Sequence, residues 1–83
     1  MQLKDLPDWS KRFGSLELSD PMVLRSAESS PLGHFAMLVI ESKGVQTLTL
    51  LEVGFGNIKK VLSVLEVHIG RPLHEIAQLE IDV

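Results

Sequence analysis

The chain has 83 residues, of which 45% are apolar and 23% charged, with a net charge of −3 and a pI near 5.5. That is room for one domain around one core, with an ordinary globular composition rather than a disordered one. The acidic balance argues against nucleic acid as a partner, because phosphate binding needs a basic patch.

The absence of cysteine excludes disulfides, thiolate metal sites and a cysteine nucleophile, and it fits a reducing cytoplasm. The first five residues lack a basic stretch followed by an apolar one, so no secretory signal is expected. The longest uninterrupted apolar run, residues 35–40, is far shorter than the ~20 residues of a membrane-spanning helix. A soluble, cytoplasmic protein without membrane contact is the expectation.

Leu3, Leu6, Trp9 and Phe13 recur at helical spacing, and Gly14 follows as a C-terminal stop. Pro7 fits the first turn of a helix and not its interior. A short helix over residues 7–13, entered by an extended stretch 2–6, accommodates both signals.

Residues 15–33 leave two readings open. Ser15, Leu16, Glu17 and Leu18 alternate, and Pro21 to Arg25 is a short apolar run beyond a Ser19-Asp20-Pro21 turn signal. Either the two form a weak hairpin with Pro21 holding the second strand to an edge, or the segment is a linker packed on the core. Residues 26–33 are small, polar and end in Pro and Gly, which predicts a loop.

The pattern sharpens over residues 35–69, the unit around which the chain is organised. Residues 35–42 and 45–53 read as strands, and Lys43 with Gly44 between them is a two-residue hairpin connection. Neither face of the second strand is cleanly polar, which predicts a central position, or helix on one face and a partner on the other.

Gly54, Phe55 and Gly56 then break the pattern, and Asn57 is suited to cap the next helix. Ile58, Val61, Leu62, Leu65 and Ile69 form one stripe of a helix over residues 57–69, closed by Gly70 and Pro72. Leu73 to Ala77 is long enough for one more helical turn. Leu79, Ile81 and Val83 alternate with Glu80 and Asp82, predicting a C-terminal strand over 78–83.

The fold class expected is α+β. A small antiparallel sheet of three to four strands, centred on the 35–53 hairpin, carries the helix on one face and takes in the C-terminal strand. The chain is read as one domain, residues 1–83, with a ββαβ core at 34–83 and an N-terminal segment at 1–33.

The best candidate for ligand contact is the turn Gly54, Phe55, Gly56 and Asn57 with Lys59 and Lys60. A strand that delivers Gly-x-Gly to a helix start presents backbone N–H groups and the positive end of the helix dipole to an anion or phosphorylated ligand. The third glycine of a dinucleotide fingerprint and the Lys-Ser/Thr pair of a phosphate loop are both absent. A tight, well-capped turn explains the same residues without a ligand.

Gly54, Gly56, Asn57 and Ile58, with Val61, Leu62 and Leu65 behind them, resemble the opening strand–turn–helix of the glutaminase subunit of imidazole glycerol phosphate synthase. The resemblance spans about twenty residues and implies local geometry only. That family's activity rests on a cysteine nucleophile, which this chain lacks.

His34, His68 and His74 lack the spacing that places two imidazoles on one helix face, so no metal is expected. Glu75 with Glu80 or Asp82, and Ser29 and Ser30 with His34, bring acid, base and nucleophile types near one another without a third orienting group. No catalytic residue and no cofactor are expected.

Apolar surface is the stronger clue. Val64 and Val67 widen the helix's apolar arc, and Leu79, Ile81 and Val83 extend it, giving more apolar surface than a small monomer covers. These five are the candidate interaction surface, for another protein or for a homodimer. Alternatively, Trp9 and Phe13 cover that surface within the monomer. The function expected is a non-catalytic interaction or regulatory module, an adaptor or inhibitor subunit working through a sheet edge or an exposed helix face. Anion binding at the Gly54–Lys60 turn, or a small oligomeric enzyme with a site between subunits, are the other readings.

Overall fold

A computed structural model of the chain describes residues 1–13, 22–54 and 56–82. Three helices, α1 (Pro7–Phe13), α2 (Ile58–Glu66) and α3 (Leu73–Ile76), accompany three strands, β1 (Val23–Ser29), β2 (Phe35–Ser42) and β3 (Val45–Glu52). The strands form an antiparallel sheet in the order β1-β2-β3. The α+β class and the hairpin-plus-helix unit are as the sequence predicts.

The β2–β3 hairpin closes through the pair Ser42 and Val45, with Lys43 at φ +53° and Gly44 at φ +79°. Two consecutive positive φ values define a type I′ turn, whose twist matches that of the flanking strands. Alternation along β2 buries Ala36, Leu38 and Ile40 on one side of the sheet. Leu24, Ala27 and Leu51 join them from the neighbouring strands, and Val61 and Leu65 of α2 pack over this face. Trp9 and Phe13 of α1 complete the core, edge to face with centroids 4.9 Å apart. Those two aromatics therefore do cover apolar surface within the monomer, but on this side of the sheet alone.

Several expectations need correction. Residues 2–6 are not extended, since Leu3–Asp5 is a 3₁₀ turn in which the Asp5 side chain accepts the Gln2 N–H at 3.0 Å. Residues 26–29 belong to β1 rather than to a loop, because Ser26 to Ser29 pair with Val39 to Ala36. The earlier half of the proposed weak hairpin, residues 15–18, lies outside the described residues.

The C-terminal segment does not join the sheet as a fourth strand. Its backbone is taken by the N-terminus. Ile81 N–H donates to the Met1 carbonyl at 2.7 Å, Leu3 N–H to the Leu79 carbonyl at 3.0 Å, and Gln2 and Glu80 form an isolated bridge.

Helix α2 ends at Glu66, three residues before the predicted boundary. His68 N–H turns back to the Leu65 carbonyl at 3.0 Å, and the His68 ring Nδ1 lies 2.7 Å from the Val64 carbonyl oxygen. A carbonyl only accepts, so Nδ1 carries the proton and satisfies a group the helix end leaves open.

Finally, among the described residues β3 is an edge strand, not a central one. The register puts Thr47 and Thr49 on the core side and Leu48 and Leu50 on the other, so neither face reads as cleanly polar.

Candidate functional site

The two edges of the sheet are treated differently. Beyond β1, Leu24 N–H donates to the Arg71 carbonyl at 3.1 Å, Gly70 N–H returns to the Leu24 carbonyl at 2.7 Å, and Leu73 N–H reaches the Met22 carbonyl at 2.8 Å. The segment after α2 thus closes the start of that edge, at Met22 and Leu24, and not its continuation at Ala27 and Ser29.

Beyond β3 the backbone is closed at one end only. The type I′ hairpin makes Ser42 and Val45 a hydrogen-bonded pair, and Val53 N–H continues the ladder to the His34 carbonyl at 2.9 Å. Odd-numbered residues of β3 therefore turn their N–H and C=O groups to β2, and even-numbered ones turn theirs outward. Glu52, the last of these, donates its N–H to the Asp8 carboxylate at 2.8 Å. The outward groups of Gln46, Leu48 and Leu50 meet no other described element. From Val45 to Leu51 this edge carries no charge and no proline. Natural sheets commonly use both to keep an edge from pairing.

Side chains on the non-core face of the sheet follow the same register. Phe35, Met37 and Val39 stand on β2, and Leu48 and Leu50 stand opposite Val39 and Met37 on β3. Leu48 is 63% exposed, and no described helix packs on this face. At its hairpin end, the Glu41 carboxylate accepts from Arg25 Nη2 at 3.0 Å and from Gln46 Nε2 at 3.2 Å. The Arg25 and Gln46 hydrogen bonds hold the Glu41 carboxyl below its ordinary pKa, outweighing the slight opposing effect of burial.

The predicted interaction residues fare unevenly. Val67, 76% exposed, and Ile69 lie in the turn after α2. Val64 and Leu79 are half-buried against the core, and Ile81 is 4% exposed within it, so these three are packing residues. Val83 lies outside the described residues. Sequence reasoning did not single out Leu48 and Leu50, although their alternation with Thr47 and Thr49 was visible, because two mixed faces fit a central strand as well as one with helix on one face and a partner on the other.

The predicted ligand turn is only partly assembled. Gly54, at φ +83°, and Asn57 line a cleft of about 370 Å³ with Leu6, Pro7, Asp8, Lys11 and Glu52. Asn57 stands at the N-cap position but makes no side-chain capping bond. Gly56, Lys59 and Lys60 are exposed and do not line the cleft, and Phe55 lies outside the described residues. Its wall carries Asp8 and Glu52 beside Lys11, and the Asp8 carboxylate is already engaged by Glu52 N–H and Arg12. His34, His68 and His74 do not gather, and no cluster of three or more His, Cys, Asp or Glu occurs among the described residues.

Among the described residues no helix is long and apolar enough to cross a membrane. No family model, curated protein or solved structure matches the chain.

Proposed function

We propose that the protein is a non-catalytic interaction module, an adaptor or inhibitor subunit that takes up an extended segment of another protein along β3. The observation that supports this reading is the outward backbone of Gln46, Leu48 and Leu50, on an edge without charge or proline. An added strand gains main-chain hydrogen bonds there, while its alternate side chains rest on Leu48 and Leu50. The start of β1 is taken by residues 70–73, at Met22 and Leu24, which leaves a longer free run on β3 than on β1 and supports β3 as the side for a partner.

The test removes one outward donor, together with the Gln46 side-chain bond to Glu41. Gln46→Pro deletes an outward N–H that β2 does not use, at an edge position where proline is tolerated. A stoichiometric partner retained by the wild type should be lost by Gln46→Pro. In the complex, the amide protons of Leu48 and Leu50 should become slow to exchange. Retention of the partner by Gln46→Pro, with those amides still exchanging fast, would overturn the proposal.

A further inference from the structure

The open stretch of the β3 edge is bounded at both ends. The type I′ turn ends it before Gln46, and Asp8 takes the Glu52 N–H at 2.8 Å. Between these limits Gln46, Leu48 and Leu50 turn N–H and C=O groups outward, where no other described element meets them. The side chains of the same stretch read alike in both directions from Leu48. Threonine stands at 47 and 49, an aliphatic residue at 45 and 51, and no charge lies between.

We propose that, with no other partner bound, β3 pairs antiparallel with β3 of a second copy, about a two-fold axis through Leu48. This rests on the strand-binding reading of the same edge and adds its regulation. The dimer occupies the edge, so an incoming strand has to displace the second copy.

Register selects this axis. In an antiparallel pair, residues that turn their backbone groups outward on one strand oppose residues that do so on the other. An axis at Leu48 sets that residue against its own image and Gln46 against Leu50 twice. Every open group on both copies is then used, in about six hydrogen bonds. Moving the axis to Thr47 sets Leu50 against Gly44 in the turn. Moving it to Thr49 sets Gln46 against Glu52, whose N–H Asp8 already holds. Each shift leaves an open residue unpaired.

Side chains favour a second copy as the occupant. A two-fold axis makes a strand face its own sequence reversed, the condition of an isologous contact, so the strand has to match itself. Here Thr47 opposes Thr49 and Thr49 opposes Thr47, a cross-strand pair that antiparallel sheets favour. Leu48 opposes Leu48 on the other face, and Val45 opposes Leu51. The nearest charge on the strand, Glu52, lies about 27 Å from its image, beyond a Debye length of about 8 Å. Arg12 also reaches this stretch, beside Thr47 and Thr49, and is paired there with its own Asp8 at 3.5 Å.

Five paired residues span roughly 17 Å. Such a contact is smaller than a standard interface and makes a weak, reversible dimer.

The experiment joins sedimentation equilibrium of the full chain with cysteine pairing, for which the cysteine-free sequence gives a clean background. The wild type should dimerise reversibly between low and high micromolar concentration, and amide exchange at Leu48 and Leu50 should slow as it does. Gln46→Pro removes one pairing N–H from each copy and should stay monomeric. Under mild oxidation, Thr47→Cys mixed with Thr49→Cys should cross-link to each other well above the share that random pairing gives. Opposed positions of this kind lie about 4.5 Å apart at Cα, within disulfide reach, whereas each lies about 8 Å from its own image.

A wild type that stays monomeric at high micromolar concentration would overturn the dimer. So would a dimer in which Leu48 and Leu50 exchange as fast as in the monomer, one that survives in folded Gln46→Pro, or one in which Thr47→Cys or Thr49→Cys links mainly to itself. A monomer that still takes up a foreign strand along β3 would remove the dimer and leave the strand-binding proposal standing.

Discussion

The carboxylate of Asp8 accepts the backbone N–H of Glu52 at 2.8 Å, joining the first turn of α1 to the end of β3 across 44 residues of sequence. The same oxygen lies 3.5 Å from Arg12 Nε, so the side chain is held from both sides. Asp8→Ala leaves that N–H without its charged acceptor and should cost about 1.5 kcal/mol, the range for a hydrogen bond to a charged group. Asp8→Asn keeps an acceptor oxygen and should cost about half as much. Urea denaturation measures both. Faster exchange of the Glu52 amide proton in Asp8→Ala, with little change at Leu38, would show that the loss is local.

The hairpin turn invites a gain. Lys43 holds φ +53° with a full side chain, a conformation that asparagine tolerates better. Lys43→Asn should stabilise the fold by about 0.5 kcal/mol, seen as a higher thermal midpoint. Gly44 makes the opposite case. A Cβ there meets nothing within 4 Å, so any cost of Gly44→Ala comes from the backbone at φ +79° alone. That cost should be about 1 kcal/mol.

Glu41 makes part of the stability depend on pH. Its folded pKa lies below the ordinary glutamate value, chiefly because Arg25 and Gln46 donate to it. A depressed folded pKa gives stabilisation that is complete above the unfolded value and is lost as pH falls through the folded one. Arg25→Gln should therefore raise the Glu41 titration midpoint in side-chain carboxyl NMR and make acid unfolding begin at higher pH. Salt should narrow the difference between the two proteins, since Arg25 is exposed and the pair is screened. An unchanged midpoint in Arg25→Gln would contradict the assignment.

Leu65 probes the core. It is fully buried in α2 against the sheet, among residues contributed by every element of the chain's apolar pattern. Leu65→Ala should cost about 3 kcal/mol through lost contacts and a residual cavity. Val67→Ala, two residues on and 76% exposed, should change stability by less than about 0.5 kcal/mol. Calorimetry of the two variants separates a packing residue from a surface one on the same stretch.

Short-range signals were legible in the sequence. Proline at the start of α1, a glycine in a two-residue connection and the 3.6-residue stripe of Val61 and Leu65 each act within a few residues, and each places its element correctly. What the sequence hid was pairing at a distance. Nothing near Leu79 or Ile81 announces that their backbone bonds go to Met1 and Leu3, so alternation there reads as a sheet strand. Likewise Ser26 and Ser29 look like loop residues until β2 pairs with them. The exposed leucines of β3 were misassigned for a related reason. Apolar residues on both faces of a strand fit a central position as well as a cover of one face by a partner, and composition alone does not choose between them.

The unequal treatment of the two sheet edges also limits how far any assembly can grow. A head-to-tail filament needs a free acceptor at each end of the repeating unit. Residues 70–73 occupy the start of the β1 side, at Met22 and Leu24, so β1 offers an incoming strand only the short stretch from Ala27 to Ser29, against Gln46 to Leu50 on β3.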